Sequence, residues 1–458
     1  MPIATVDPAT GETVEKFAPH DEVELERRIA MAHAAAAELG GTPFARRAEW
    51  MTSAADLLEA DLDGAAAMLV TEMGKPIGQA EAEVRKCART MRFYAEHAEE
   101  FLAEEPLRAP AAVGARRAST VYRPLGVVLA VMPWNYPLWQ VIRFAAPALM
   151  AGNTGLLKHA SNVPRAALYL DTLFERGGFP CGSFTTLLIA AAQVDAVVRD
   201  PRVRAVTLTG SEPAGRAVAA AAGASIKKTV LELGGSDPFL VMPTADVAAA
   251  AATAVRARVQ NNGQSCVAAK RFIVHTEVYD EFAELFTRGM AELVVGDPRD
   301  RRTDVGPLAT ESGRRDVAEL VDDAVAKGAE VLTGGSVPAG PGFFYPPTVL
   351  AGLTPEMRIV QEETFGPVAS LYRATDRDDA LRIANQTDFG LSSAVWTGDD
   401  DEADWFAERL EAGAVFVNGM TASYPELPFG GMKVSGYGRE LSAAGIREFC
   451  NLTTIWRG

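Results

Sequence analysis

The sequence is poor in the residues that build disulfide scaffolds and metal centres. Its four cysteines, Cys87, Cys181, Cys266 and Cys450, lie far apart and form no CxxC pair, so neither a disulfide framework nor a thiolate zinc site is suggested. Only 5 histidines occur and no HExxH, so a catalytic metal is not expected. Positive charge is also short. Lys and Arg number 44 against 60 Asp and Glu, a net charge of -16, which argues against broad attraction to nucleic acid or an anionic membrane. No window approaches the roughly 18 consecutive apolar residues that span a bilayer. The N-terminal "MPIATVDPATGETVEKF" has neither the basic start nor the apolar run of a secretion signal. A cytoplasmic protein with free thiols is expected.

What is present is an ordinary globular composition: 458 residues, 48% hydrophobic and 23% charged, enough for two or three packed domains. The first hundred or so residues read as amphipathic helices, among them "DEVELERRIAMAHAAAAEL" and "IGQAEAEVRKCARTMRFYAEHAEEFL". From about Ser119 short β-rich runs alternate with helical ones: "GVVLAVMPW", "TGLLKHA", "TTLLIA" and "AVTLTGS". A second alternating series follows "KKTVLELGG" and includes "PFLVM", "KRFIVH", "GPVASLYRA", "SSAVWTG" and "GAVFVN". Such alternation implies crossover connections and parallel sheets, hence two doubly wound α/β domains joined near residues 231–235.

The stretch "NNGQSC", ending at Cys266, falls between a helix pattern and a strand pattern. A cysteine is most often a small buried filler. A glycine and small polar residues on its approach fit instead an accessible loop carrying a nucleophile. Three further stretches stand in a definite order around it. "MPWNYP" ends a strand with Asn135, "LELGGSDP" puts Glu232 at another strand end, and "QEETFGPV" places two acids before an apolar turn. Together with "PFGGMKVSGYGRE" near the C-terminus, they make the whole chain resemble the aldehyde dehydrogenase family.

That resemblance implies roles residue by residue. Cys266 matches the nucleophile that adds to the aldehyde carbon, giving a thiohemiacetal oxyanion and then a thioester. Asn135 matches the side-chain donor to that oxyanion, with the Cys266 backbone N–H as the second donor. Glu232 matches the general base for hydrolysis, which works best with its pKa raised by burial beside Leu231 and Leu233. No GxGxxG follows a strand, and "TLTGSEPAG" lacks the Lys and Ser/Thr of a P-loop. A glycine and Ser211 opening a helix can still seat a pyrophosphate. Trp134, Gly210, Ser211 and Leu233 match cofactor-lining positions, and Glu363 matches the residue holding the nicotinamide ribose. Lys158 matches the lysine of the adenosine ribose. Ser161 stands where many NAD-using members carry a glutamate, so NADP is the expected cofactor, with NAD usable.

The implied architecture is an N-terminal region of helices and dinucleotide-binding domain over 1–231, a catalytic domain over 232–424, and a return segment and tail over 425–458. Residues 103–122 and the tail have the composition of oligomerisation strands, and a homodimer or homotetramer is expected. The chain looks most like family members that oxidise succinate semialdehyde in 4-aminobutyrate breakdown. Arg143 matches one substrate arginine of that group and Ser423 its serine, while a second arginine is replaced by Gln260. That replacement leaves glutarate semialdehyde as an alternative substrate. Two rivals remain, a catalytically silent relative and an enzyme passing its acyl group to coenzyme A. Retention of Cys266, Glu232 and Asn135 speaks against the first, and Glu232 favours water over coenzyme A.

Overall fold

The computed structural model describes residues 2–458. Residues 3–17 depart from the helical expectation, because Ile3–Asp7 and Glu12–Phe17 form an antiparallel hairpin. Both runs are rich in β-branched residues, and "PATG" between them supplies turn chemistry. Four helices follow: α1 (Glu22–Gly41), α2 (Phe44–Ala60), α3 (Leu62–Met73) and α4 (Ile77–Phe101). Helix α1 starts where the Asp21 carboxylate accepts the Glu24 N–H at 2.8 Å. Along α4 Val84, Cys87, Met91 and Tyr94 are buried while Arg85 and Arg89 face outward.

The first sheet is built from β1 (Val127–Met132), α5 (Trp139–Ala151), β2 (Thr154–His159), α6 (Pro164–Arg176), β3 (Phe184–Thr186), β4 (Val203–Thr209), α7 (Glu212–Ala224) and β5 (Lys228–Glu232). Its strands are parallel in the order β3-β2-β1-β4-β5. Both faces are covered by helices, which is why β1 is an almost continuous apolar run. Helix α5 is buried on every side and underlies this sheet.

The second sheet contains β6 (Pro238–Val241), β7 (Arg271–His275), β8 (Glu330–Thr333), β9 (Thr348–Ala351), β10 (Val368–Ala374), β11 (Ser393–Trp396) and β12 (Val415–Val417). The order is β8-β9-β10-β7-β6-β11-β12, parallel except for β8. The chain then returns: β13 (Gly436–Tyr437) pairs antiparallel with β5, setting Gly436 opposite Glu232. Strands Arg117–Pro124 and Cys450–Arg457 pair along their full length within the chain, with Glu105–Pro106 on the other side of the first. Cys450–Arg457 is therefore an edge strand of this small sheet. No helix among the described residues is long and apolar enough to cross a membrane.

Candidate functional site

In the first sheet the connections reverse direction between β1 and β4, and open α/β sheets bind ligands in the crevice outside the carboxyl ends at such a point. Three strand ends converge there. Met132 runs into Trp134 and Asn135, Thr209 into Gly210 and Ser211, and Glu232 into Leu233 and Gly234. With Cys266, Glu363 and Phe365 from across the crevice they line a cavity of about 280 Å³. A larger hollow of about 600 Å³ is lined by residues that include Tyr279 and Arg373 but by no cysteine.

The loop before Cys266 is forced into an unusual path. Asn261, Asn262 and Gly263 have φ of 56°, 58° and 73°, the left-handed region that asparagine tolerates and glycine favours. A Cβ on Gly263 would sit 2.4 Å from the Gly366 carbonyl carbon, so "NNGQSC" can lie against "TFGP" only with glycine there. Side chains then pin the turn. Asn262 donates to the Gly74 and Pro307 carbonyls, both at 2.9 Å, and accepts the Gly306 N–H at 2.8 Å. Asn261 donates to the Asn135 carbonyl at 2.7 Å, and Asn135 Nδ2 donates to the Gln264 carbonyl at 3.1 Å. Lys270 Nζ holds the Ser265 and Cys266 carbonyls at 2.9 and 2.8 Å. The Cys266 thiol faces the cavity and is partly exposed. Burial of its surroundings pushes the thiol up to about 12, against the pull of the Arg143 and Lys270 charges.

Glu232 is buried at the end of β5, one residue before the cavity wall, and neither carboxylate oxygen has a hydrogen-bond partner among the described residues. Burial first, and then the like charge of Glu440, raise its pKa well above the carboxylate range, while Arg143 and Arg439 pull it down. Glu440 is also raised by burial and drawn down by Arg143. Arg143 does not line the cavity. It is 2% exposed, pairs with Glu440, lies over the Phe429 ring at 4.7 Å and reaches Thr209 Oγ1 at 3.4 Å. Its guanidinium is thus paired with one buried acid, Glu440.

The expected cofactor positions fall into two groups. Trp134, Gly210, Ser211, Leu233 and Glu363 share the cavity. Glu363 accepts the Gly235 N–H at 3.1 Å and meets Lys270 Nζ at 3.2 Å. A Cβ on Gly234 would lie 2.5 Å from Glu363 Oε2, so this glycine makes room for the acid. Ser211 precedes α7 without capping it through its side chain, leaving first-turn N–H groups for an anion. Lys158 and Ser161 lie outside the cavity, at the carboxyl end of neighbouring β2. Both are partly exposed, and neither side chain has a hydrogen-bond partner among the described residues. Burial lowers the Lys158 pKa.

Of the expected substrate residues, Gln260 donates to the Val267 carbonyl at 3.3 Å, within the nucleophile loop. Ser423 accepts from Lys86 Nζ at 2.8 Å. Lys86 and the cavity residue Gln140 were not apparent from motifs. The available signal for Lys86 was its place one turn after Glu83 on the inward side of α4, where charge is out of keeping with the apolar stripe.

The aldehyde dehydrogenase family model matches residues 1–455. The chain belongs to the aldehyde dehydrogenase family. It is 61% identical to succinate-semialdehyde dehydrogenase [NADP(+)] 1 of Mycobacterium tuberculosis (strain ATCC 25618 / H37Rv), over 456 residues and the whole of both chains. It is 61% identical over 459 residues to succinate-semialdehyde dehydrogenase [NADP(+)] of Mycobacterium avium (strain 104), covering 100% of this chain and 97% of the other. Succinic semialdehyde dehydrogenase from Streptococcus pyogenes, solved in complex with NADP+, superposes with a TM-score of 0.96 at 37% identity, with 99% of each chain covered. Its α/β architecture agrees with the expectation from its strand pattern.

Proposed function

We propose that this protein oxidises succinate semialdehyde to succinate with NADP as hydride acceptor. The observation that carries this is the convergence of Asn135, Cys266 and Glu363 on one cavity at the strand-order reversal, with Glu232 buried just behind its wall. The identity to the mycobacterial enzymes supports the substrate. Cys266 supplies the thiolate that bonds to the aldehyde carbon. Asn135 and the Cys266 N–H stabilise the oxyanion so formed, and a donor of this kind is worth about 10²-fold or more in turnover. Glu232, a stronger base than an ordinary carboxylate because burial raises its pKa, removes a proton from the water that cleaves the thioester, releasing the acid and the free thiol.

NADP fits the chain's own features: an uncapped helix start at Ser211, and Lys158 with a neutral Ser161 three residues on. Lys158 and Ser161 would hold the 2'-phosphate and Glu363 the nicotinamide ribose. When bound, NADP supplies the acceptor for the hydride released as the thiohemiacetal becomes a thioester. The exposed Leu452 and Trp456 on the edge strand Cys450–Arg457 support pairing with a second copy in a homodimer or homotetramer. The test is NADPH formation with succinate semialdehyde, glutarate semialdehyde and butanal, each with NADP and NAD, with and without coenzyme A. The reading requires the highest kcat/KM with succinate semialdehyde and NADP, independent of coenzyme A. A preference for butanal would refute the substrate.

A further inference from the structure

One donor to the oxyanion is a backbone N–H, and a backbone donor is only as well placed as its peptide plane. The Cys266 N–H belongs to the Ser265–Cys266 peptide. No peptide bond among the described residues is cis, so the Ser265 carbonyl points the opposite way from that N–H. The carbonyl is held by Lys270 Nζ at 2.9 Å and by the Ala268 N–H at 3.1 Å, whereas the Cys266 N–H has no hydrogen-bond partner among the described residues. Resting on the aldehyde oxidation read above, we propose that Lys270 is a positioning residue of the oxyanion site: its ammonium fixes and polarises the Ser265–Cys266 peptide so that the Cys266 N–H meets the oxyanion.

Lys270 stands on a rigid part of the second sheet. It directly precedes β7, which lies between β10 and β6. Its own N–H donates to the Asp237 carbonyl at 3.1 Å, and its carbonyl accepts the Ser370 N–H at 2.9 Å. From this anchored backbone the side chain, buried to 3% exposure, reaches the nucleophile loop; Cys266 lines the cavity and Lys270 does not. An ammonium has three donors, and all are used: on the Ser265 carbonyl, on the Cys266 carbonyl at 2.8 Å and on Glu363 Oε1 at 3.2 Å. The two carbonyls belong to the peptides on either side of the Cys266 Cα. One cation therefore fixes both planes that flank the thiol. A Cβ on Gly235 would stand 2.7 Å from the Cys266 carbonyl oxygen, so that glycine is what lets the carbonyl turn towards the lysine.

The chemistry gives this grip a use. Donation from a cation to a carbonyl draws charge along the peptide and strengthens the N–H at its other end, as linked hydrogen bonds do in a low-dielectric site. When the Cys266 thiolate bonds to the aldehyde carbon, the carbonyl electron pair moves onto oxygen. The new negative charge then meets the peptide that Lys270 has polarised. Before that step the same positive charge favours the thiolate, against the burial that raises the thiol. Glu363 supplies the carboxylate that a cation this deeply buried requires.

Two reactions of the same thiol separate positioning of the donor from support of the thiolate or of the loop. With 4-nitrophenyl acetate the thiolate sulfur bonds to the acetyl carbon, the carbonyl pair moves onto oxygen, and its return expels 4-nitrophenolate. With iodoacetamide the sulfur displaces iodide from a saturated carbon and no oxyanion forms. Both reactions need an accessible thiolate and neither needs a cofactor, so thiol pKa and access cancel in the ratio of acylation to alkylation rates. Each rate is read at Cys266 by peptide mass spectrometry at pH 8. Lys270→Met should lower the ratio about tenfold or more, and kcat for succinate semialdehyde by a similar factor with KM little changed. Asn135→Ala, which removes the other donor, should lower the ratio as well. Lys270→Gln, which keeps a donor without the charge, should fall between wild type and Lys270→Met, and replaces the latter if it does not fold. A wild-type ratio in the Lys270 variant, with the ratio of Asn135→Ala lowered, overturns the role of Lys270 and leaves it a staple of the loop. An unchanged ratio in Asn135→Ala would instead bring down the oxyanion site on which the inference rests.

Discussion

Replacing Arg143 by methionine separates a buried counter-ion from a substrate anchor. The arginine and Glu440 are 2% and 3% exposed, and the charge of Arg143 also acts on Glu232. Removing one partner of such a pair strands the other and costs about 3 to 5 kcal/mol. At ~2.1 cal/mol/K per residue, a chain of this length loses roughly 1 °C of melting temperature per kcal/mol, so Arg143→Met should melt about 3 to 5 °C below wild type. The loss has a pH sign. Without the arginine both carboxyls rise further above their unfolded pKa values, the folded state binds more protons than the unfolded one, and stability falls as pH climbs above the unfolded carboxylate range. The deficit should therefore be larger at pH 8 than at pH 5.5, and Glu440→Gln added to Arg143→Met should recover most of it. Thermal melts of both variants at the two pH values, with kcat/KM for succinate semialdehyde and butanal, check this. The ratio of the two substrates is expected to hold while both rates fall. If Arg143→Met melts like wild type at both pH values and loses only the acid preference, the ion-pair reasoning is wrong and Arg143 is the anchor.

Three other outcomes follow from the site. With the Cys266 thiol pushed up to about 12 in the free enzyme, its thiolate fraction should grow about tenfold per pH unit, so carboxamidomethylation by iodoacetamide should accelerate log-linearly from pH 7 to 9; a plateau below pH 8 would show a much lower thiol pKa. Glu232→Gln should give a burst of about one NADPH per site followed by a steady rate slower by ~10² or more, read by rapid mixing; steady turnover at the wild-type rate would remove Glu232 as the base. Ser161→Glu should shift the NADP-to-NAD ratio of kcat/KM towards NAD by about tenfold or more, since a carboxylate there repels the 2'-phosphate, and an unchanged ratio would place the phosphate elsewhere.

The two sheets were legible because parallel strands buried on both faces read as apolar runs, as in "GVVLAVM" and "KRFIVH". The N-terminal hairpin was hidden by its shortness and by the helices that dominate the next 80 residues. The short return strand Gly436–Tyr437 carries no period at all, and only its position opposite Glu232 gives it meaning. Among the site residues, "NNGQSC" was legible as chemistry but not as geometry. Its two left-handed asparagines serve distant carbonyls at Gly74, Asn135 and Pro307, partners that no local pattern specifies.

Arg143 and Lys86 differ in a way that their helices do not announce. Both are cations on mostly apolar helix faces, and hydrophobic periodicity treats them alike. What distinguishes them is the neighbour each meets from elsewhere in the chain. Arg143 meets Glu440, 297 positions away and joined to the first sheet through the return segment, and the buried acid takes its charge. Lys86 meets Trp139 and Ser423, an aromatic face and a hydroxyl, neither of which can neutralise it. A buried cation with an acid beside it positions other charges, and stranding either partner of such a pair is costly. Which cation the fold pairs with a buried acid is therefore a property of tertiary pairing that spacing along either helix cannot carry.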